Sequence, residues 1–241
     1  MRLGDDALVL AQRLTEWSSR APSLEEDIAL TNIALDLVGQ ARALLTHAGA
    51  AEGKGRDEDA LAFGRSEREL TNCQLVEQPN GDFAATMARQ LFFSGYQLAL
   101  YRQLTGSTDP ILAGVAAKAV KEVAYHVDHA AGWVIRLGDG TEESHRRMQA
   151  ALERLWPFTH ELFEADDLTG RVAGAGVGVD PAGLRSQWSH DMAGVLAEAT
   201  LAAPDDGWHP GGGRRGVHTD HLGFLLAEMQ HLHRCHPGAS W

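Results

Sequence analysis

Apolar residues recur at helical spacing along almost the whole chain. Between Pro110 and Leu137 an apolar residue returns every three or four positions, and the same interval runs from Ser23 to Gly49. One face of an α-helix repeats at this interval, whereas a half-buried strand alternates every second residue. Alternating segments are missing, and Asn80-Gly81 precedes a helical segment instead of joining two β-branched runs. The pattern predicts an all-α fold.

Capping residues and breakers divide this pattern into separate helices. Ser23 and Glu26 form a capping box after Pro22, and Pro110 suits the first position of a helix. The predicted helices span residues 5–17, 23–49, 59–75, 82–104, 110–137, 141–165, 181–199 and 220–233, with a kink at Pro157 and a glycine-rich connection at 170–183. Long helices joined by short loops favour an up-and-down bundle. Because no linker interrupts them, we expect a single domain over residues 1–241.

The charge balance and the cysteine count narrow the class of protein. The chain has 33 acidic and 21 basic residues, a formal net charge of −12. Such a surface repels nucleic acid and anionic membranes, so we expect neither as a main partner. Two cysteines, Cys73 and Cys235, cannot build a disulfide framework. The N-terminus resembles no signal peptide, and no apolar run approaches the roughly 18 residues that span a bilayer. We therefore expect a cytoplasmic protein.

Twelve histidines in an acidic helical chain raise the question of a carboxylate-bridged di-iron site. Such a site takes a Glu from each of two helices and a Glu-x-x-His from each of two others. Two such motifs occur, Glu142 with His145 and Glu228 with His231, but 16 Glu and 12 His in 241 residues produce roughly one match by chance. Glu142 lies in the first turn of its helix, where acids stabilise the helix dipole. Glu228 and His231 lie mid-helix and are weak metal candidates; a solvated face or a partner contact would explain them as well.

A third group of candidates lies on the helix that starts at Pro110. Glu122, His126 and His129 are spaced four and three apart and therefore share one face. The Ser23 helix offers a comparable polar edge, which consists of Glu26, Asp36, Gln40 and His47. These residues form either a weak metal site or a buried polar cluster of Asp36, Glu122 and His126, in which Lys118 or Lys121 pairs with Asp36 or Glu122.

The helix over residues 82–104 argues against a di-iron centre. It contains no His and no Glu, and its only acid is the capping residue Asp82. Its inward polar candidates are Gln90, Tyr96, Gln97 and Tyr101. If this is one of four core helices, a quarter of the ligand set is missing.

Two glycine-rich segments are candidates for phosphate sites. The glycines between 174 and 178 follow no strand and precede no Lys-Ser/Thr pair, so they predict a flexible connection. The run at 211–216 predicts a mobile loop that places Arg214 and Arg215 before a helix, where arginines and backbone N–H groups can bind phosphate. Contact with an acidic partner, or with solvent alone, would explain the two arginines equally well.

Several long segments resemble the C subunits of bacterial phenylacetyl-CoA ring epoxidases. They are LGDDALVLAQRLTEWSSRAPSLEEDIALTNIALDLVGQAR, KEVAYHVDHAAGWVIRLGDGTEESHRRMQ, LWPFTHELFEADD and the tail GGGRRGVHTDHLGFLLAEMQHL with HPGASW. The resemblance covers essentially the whole chain. It implies a ferritin-like helical bundle with additional flanking helices in a multicomponent mono-oxygenase that forms an epoxide on the aromatic ring of phenylacetyl-CoA.

The resemblance also implies how the work is divided within that assembly. The di-iron centre belongs to a related A subunit, and a B subunit completes the hetero-oligomer. A reductase that contains FAD and an iron–sulfur cluster supplies electrons from NADPH. The C subunit lacks the metal set and acts as the structural partner of A, without cofactor or catalysis of its own. His231 departs from this pattern because it completes a Glu-x-x-His motif.

Three hypotheses for the function therefore remain. The first is a non-catalytic scaffold subunit, and the second is a di-iron or mononuclear metal oxygenase subunit with its own site. The third adds a contact between Arg214 or Arg215 and the phosphates of the acyl-CoA, which otherwise meets this chain only indirectly.

Overall fold

The protein is all-α, as the helical periodicity predicts. The computed structural model describes residues 1–239, so the last two residues of the predicted domain lie outside the described residues. Residues 1–239 contain no β-strand, and their helical secondary structure is consistent with an all-α, ferritin-like fold. The α-helices are α1 (Arg2–Thr15), α2 (Leu24–Glu52), α3 (Glu58–Phe63), α4 (Gln74–Glu77), α5 (Phe83–Leu104), α6 (Pro110–Gly138), α7 (Glu142–Leu155), α8 (Asp167–Gly174), α9 (Arg185–Glu198) and α10 (Asp220–Cys235).

The helices group into two compact units. The first unit consists of residues 1–79 and 211–241, so it uses both ends of the chain, and the second consists of residues 80–210. In the first unit α1 packs along α2, and α10 contacts α1, α3 and α4. In the second unit α5 packs along α6, while α7 and α9 pack against both. The expectation of a single domain stays a prediction.

The helix starts follow the predicted caps. The side chain of Ser23 accepts a hydrogen bond from the Glu26 N–H at the start of α2, and Asp82 does the same for α5 through the Ala85 N–H. Pro110 occupies the first turn of α6, as predicted. Caps satisfy N–H groups that have no partner inside the helix, which is why they mark helix starts in a sequence.

Four predicted elements differ in the structure. The helix predicted over 181–199 begins with a 3-10 turn at residues 181–184, and α9 starts at Arg185. Residues 59–75 do not form one helix, because α3 ends at Phe63 and only a 3-10 turn and the short α4 follow. The helix predicted over 141–165 ends at Leu155, and Pro157 begins a 3-10 segment instead of kinking an α-helix. The glycine-rich connection at 170–183 begins inside α8.

Gly49, which the sequence pattern places at the end of the second helix, lies within α2. A Cβ atom at Gly49 would lie 2.1 Å from the Arg56 carbonyl oxygen. The glycine is therefore needed for a close approach of the returning chain, and the helix ends at Gly53 in the left-handed conformation instead.

α2 is more apolar than the sequence pattern suggests. By length and composition it would suffice to cross a bilayer: its most apolar 18-residue window has a mean hydropathy of 1.3, although 44% of that window is buried within the chain. The expectation that no segment approaches membrane length needs this correction. Polar residues interrupt every apolar run in α2, so no single run is long. The mean hydropathy is nevertheless high because α2 carries apolar residues on more than one face.

Candidate functional site

Three fully buried carboxylates, Asp5, Asp6 and Glu77, dominate the first unit, and we call them the three buried acids. Asp5 lies one turn into α1 and pairs with Arg65, which donates from both terminal guanidinium nitrogens to the two carboxylate oxygens. Thr71 donates to the same carboxylate from its backbone N–H at 2.9 Å and its hydroxyl at 2.8 Å. Such bidentate, charge-assisted contacts compensate for the cost of burying the ions.

Asp6 holds Arg214, one of the two arginines proposed from sequence to meet a phosphate. The guanidinium of Arg214 lies 2.9 Å from Oδ1 and 2.8 Å from Oδ2 of Asp6, and it also donates to the Thr71 carbonyl. The Cys73 N–H donates to Asp6 at 2.8 Å. Arg214 is therefore engaged within the unit, whereas Arg215 is exposed. The phosphate or partner contact of these arginines stays a prediction, and Arg215 is its accessible member.

Glu77 pairs with His218, whose side chain is fully buried. The ring Nδ1 lies 2.8 Å from the Glu77 carboxylate and Nε2 lies 3.1 Å from the Leu70 carbonyl oxygen, so both ring nitrogens donate and the ring is an imidazolium. Burial lowers the pKa of His218, but the hydrogen bond and charge of Glu77 and the Leu70 carbonyl outweigh it, and the pKa lies above its usual value. The Thr219 N–H completes the pairing at 2.6 Å from Glu77.

The run at 211–216 is an ordered turn rather than the mobile loop expected from its glycines. Residues 213–215 form a 3-10 turn between Gly212 and Gly216, which are both in the left-handed conformation. A Cβ atom at Gly216 would lie 2.2 Å from the Arg68 carbonyl oxygen, so only glycine fits there. The glycines thus let Arg214 and His218 reach their buried partners.

Sequence reasoning does not identify the three buried acids. Asp5 is predicted at the start of a helix, where an acid usually caps or stabilises the dipole, but α1 begins at Arg2 and the side chains of Asp5 and Asp6 point into the unit. One sequence feature could have indicated them: two adjacent aspartates occur near one end of the chain, and the cations Arg214 and His218 occur near the other. Every one of these carboxylates is occupied by donors of the protein itself, so the arrangement is structural and offers no open position to a substrate.

Glu228 and His231 lie on the exposed side of α10. His231 borders a cavity of about 370 Å³ between α10 and the turn at residues 66–69, and Arg234 and Glu67 also line it. The sulfur of Cys235 lies 3.7 Å from Nε2 of His231. Residues 1–239 contain no group of three or more His, Cys, Asp or Glu side chains that could hold a metal ion. Glu142 is exposed as well, and His145 donates from Nδ1 to the Gly138 carbonyl at the end of α6.

On α6 the structure places His126 deeper than Glu122, which is half-buried. The most buried line of α6 passes through Ala119, Val123, His126 and Ala130, whereas Val120 and Val127 are half-buried. His126 is therefore a core residue. Glu122 lies 3.1 Å from the ammonium group of Lys118, one of the pairings predicted. Asp36 is half-buried on α2 in the first unit, and its cluster with Glu122 and His126 stays a prediction.

The interior of α5 does not fit a di-iron ligand set. Gln90, Gln97, Tyr96 and Tyr101 are all buried, as predicted, and the only carboxylate of this segment, Asp82, caps the helix. Amides and phenols do not supply the anionic oxygens that bridge iron. A ferritin-like centre with ligands from four helices cannot be assembled with α5 as one of them.

A second histidine group lies at the 3-10 segment of the second unit. The rings of His160 and His209 stack with centroids 4.5 Å apart, and Asp206 lies 3.4 Å from His160 and 3.6 Å from Arg185. Burial lowers the pKa of His160; Asp206 raises it, while His209 and Arg185 lower it further. The ring is therefore neutral at neutral pH, and no sequence motif singles it out.

These observations define an all-α, ferritin-like protein in which one core helix carries amides instead of metal ligands. The chain belongs to the family described as phenylacetic acid catabolic protein, whose model matches residues 1–241. It is 50% identical over 241 residues to the C subunit of the 1,2-phenylacetyl-CoA epoxidase of Escherichia coli (strain K12), a match that covers 100% of this chain and 97% of that protein. The resemblance stated from the sequence is confirmed.

Proposed function

We propose that this chain is the non-catalytic structural subunit of a phenylacetyl-CoA ring epoxidase and the partner of its di-iron A subunit. The observation that carries the proposal is the full-length, 50% identity to a protein named as the C subunit of that enzyme. The amide-lined interior of α5 supports it, because a chain with its own di-iron centre needs carboxylates there.

The other components follow from the same proposal. A B subunit completes the hetero-oligomer, and a reductase with FAD and an iron–sulfur cluster delivers electrons from NADPH to the iron of the A subunit. Phenylacetyl-CoA meets this chain only indirectly, unless its phosphates contact the arginines of the 211–216 run, of which Arg215 is the exposed one. The net charge of −12 argues against nucleic acid and anionic membranes as partners and supports a place in the cytoplasm.

The test is to reconstitute the assembly and follow iron and activity in each chain. This chain, the A subunit and their mixture are each assayed for epoxidation of phenylacetyl-CoA with the B subunit and the reductase present. We expect turnover only from the mixture and iron only in the A subunit. Near two iron atoms in this chain after anaerobic reconstitution would overturn the proposal in favour of a metal oxygenase subunit.

Glu228 and His231 allow a sharper version of the same test. Both are exposed on α10, so substitution of either by Ala should leave the iron content and the chemistry unchanged. If a variant only weakens assembly, a higher concentration of it restores the rate by mass action. Activity that stays lost at saturating subunit, together with a loss of iron, would show that this chain holds a metal.

A further inference from the structure

α2 carries an exposed apolar line on the side that faces away from its buried residues. Leu24, Ile28, Leu35 and Val38 are exposed by 71%, 53%, 62% and 40%. Thr31 and Arg42 continue the line and are exposed as well. We call these six residues the α2 seam. Isolated exposed apolar residues are ordinary on a protein surface, but four of them along one side of a single helix mark an interaction surface.

The spacing of the α2 seam is that of a helix-packing surface. Successive seam positions are separated by four, three, four, three and four residues, from Leu24 to Arg42. This alternation keeps side chains on one stripe and lets a second helix pack along it at about 20° with knobs in holes. At 1.5 Å per residue the seam is about 27 Å long, which is enough for the centre of an interface of about 800 Å² per partner.

Helical proteins bury a helix that is apolar on both sides. α2 buries Leu30, Ile33, Leu37 and Leu44 within the chain, yet its seam side remains uncovered. The exposed line is also without charge from Ile28 to Val38. Glu25 lies at one end, and Arg42 at the other end is paired with Glu58 of this chain at 3.3 Å. An occupant must therefore offer an apolar stripe of matching length, with a cation near Glu25.

We propose that the α2 seam is the docking surface for one helix of the A subunit, an inference that rests on the proposed function. A second copy of this chain is disfavoured because each copy carries a net charge of −12. An anionic bilayer is disfavoured by the same charge. A partner helix with an apolar stripe satisfies the length and the spacing of the seam together, and a cation on it would pair with Glu25.

The first experiment compares seam variants with a matched exposed leucine elsewhere. Leu35→Glu and the double variant Ile28→Glu, Leu35→Glu place carboxylates in the seam, and Leu168→Glu makes the same change on α8. Each is titrated with the purified A subunit by sedimentation velocity, after circular dichroism shows unchanged helicity. Because a carboxylate buried without a partner weakens an interface strongly, we expect the seam variants to raise the Kd roughly 30-fold or more and Leu168→Glu to leave it nearly unchanged.

The second experiment identifies what covers the seam. A photo-reactive amino acid replaces Leu35 in the full chain, which is irradiated with the A subunit and with phosphatidylethanolamine–phosphatidylglycerol vesicles present. A cross-link to the A subunit supports the inference. A cross-link to a second copy or to lipid overturns it, as does wild-type affinity of both seam variants. Failure of the wild-type chain to bind any epoxidase subunit would refute the proposed function and this inference together, whereas tight binding by the seam variants would refute only the seam.

Discussion

The two units differ in the contacts that dominate their interiors, although both bury apolar and polar side chains. The first unit holds three carboxylates in its interior and satisfies them with Arg65, Arg214 and His218. The second unit buries a cluster of aromatic rings, in which Trp188 lies within 6 Å of the rings of Phe92, Trp156 and Phe163. Its indole N–H donates to the Phe92 carbonyl at 2.9 Å.

The difference teaches what each unit depends on. Charge pairs are directional and join specific chain segments, but they contribute little net stability once desolvation is subtracted. Aromatic rings stabilise through buried area and tolerate small changes of direction. We therefore expect the stability of the first unit to depend on pH and on each charged side chain. The stability of the second unit should depend mainly on the volume of its buried side chains.

The largest effect should come from the aromatic cluster. Trp188→Ala removes a side chain that is only 2% exposed and leaves a cavity, so the free energy of unfolding should fall by about 3–5 kcal/mol. Trp208→Ala is the control, because Trp208 is 81% exposed and its loss should cost less than about 0.5 kcal/mol. Urea unfolding followed by far-UV circular dichroism measures both. Equal costs at the two positions would mean that the cluster is not what stabilises the second unit.

A smaller effect should follow from removing one cation of the first unit. Arg214→Met leaves Asp6 buried without its ion partner, and we expect a loss of about 2–3 kcal/mol in the same urea assay. The neighbouring Arg215→Met is the matched control, since Arg215 is exposed and should change stability by less than about 0.5 kcal/mol. The double variant Asp6→Leu, Arg214→Met should recover much of the loss, and its failure to do so would mean that the pair itself adds net stability.

His218 should make the stability of the first unit fall as the pH rises above 6.5. Because the pKa of His218 is raised above 6.5, its imidazolium stabilises the fold fully below pH 6.5, and that contribution is lost as the pH rises through the raised value. Stability should therefore fall on going from pH 6.5 to higher pH, and His218→Gln should remove this slope. His221→Gln, at an exposed ring of the same segment, should retain it. A slope unchanged by His218→Gln would contradict the assignment.

The smallest effect that we expect is the pH dependence of the second unit, in which stability falls as the pH falls instead of as it rises. The pKa of His160 lies below 6.5, chiefly because the ring is buried, so the neutral ring's contribution is present above pH 6.5 and is lost as the pH falls through the lowered value. His160→Gln should flatten the fall in stability below pH 6.5, whereas the exposed His190→Gln should not. Ring titration by proton NMR gives an independent check: an apparent pKa for His160 at or above 6.5 would be inconsistent with this environment.

Helix positions can be predicted from the sequence because their signals are local. The caps Ser23 and Asp82 and the proline at 110 act within one turn, so they locate helix starts without knowledge of the fold. The 3-10 segment after Leu155 escapes prediction because a proline is compatible with either a kink or a change of helix type.

The charged pairs cannot be predicted because their partners are distant in sequence. Arg65 lies 60 residues from Asp5, and Arg214 lies 208 residues from Asp6. Which line of α6 lies deepest cannot be predicted for a related reason. Periodicity gives the apolar side of α6 only to within about one residue, and packing against α5 decides which line is deepest.

The chain order of the two units has a consequence for synthesis. Residues 1–79 leave the ribosome first, but the cations that Asp6 and Glu77 require are Arg214 and His218, which emerge only after the whole second unit. The second unit can fold while the first waits with exposed carboxylates and an incomplete core. A chain that is truncated after residue 210 should therefore protect residues 80–200 from protease while residues 1–79 are still digested. We therefore expect the first unit to complete its fold only after the segment that carries Arg214 and His218 has been synthesised.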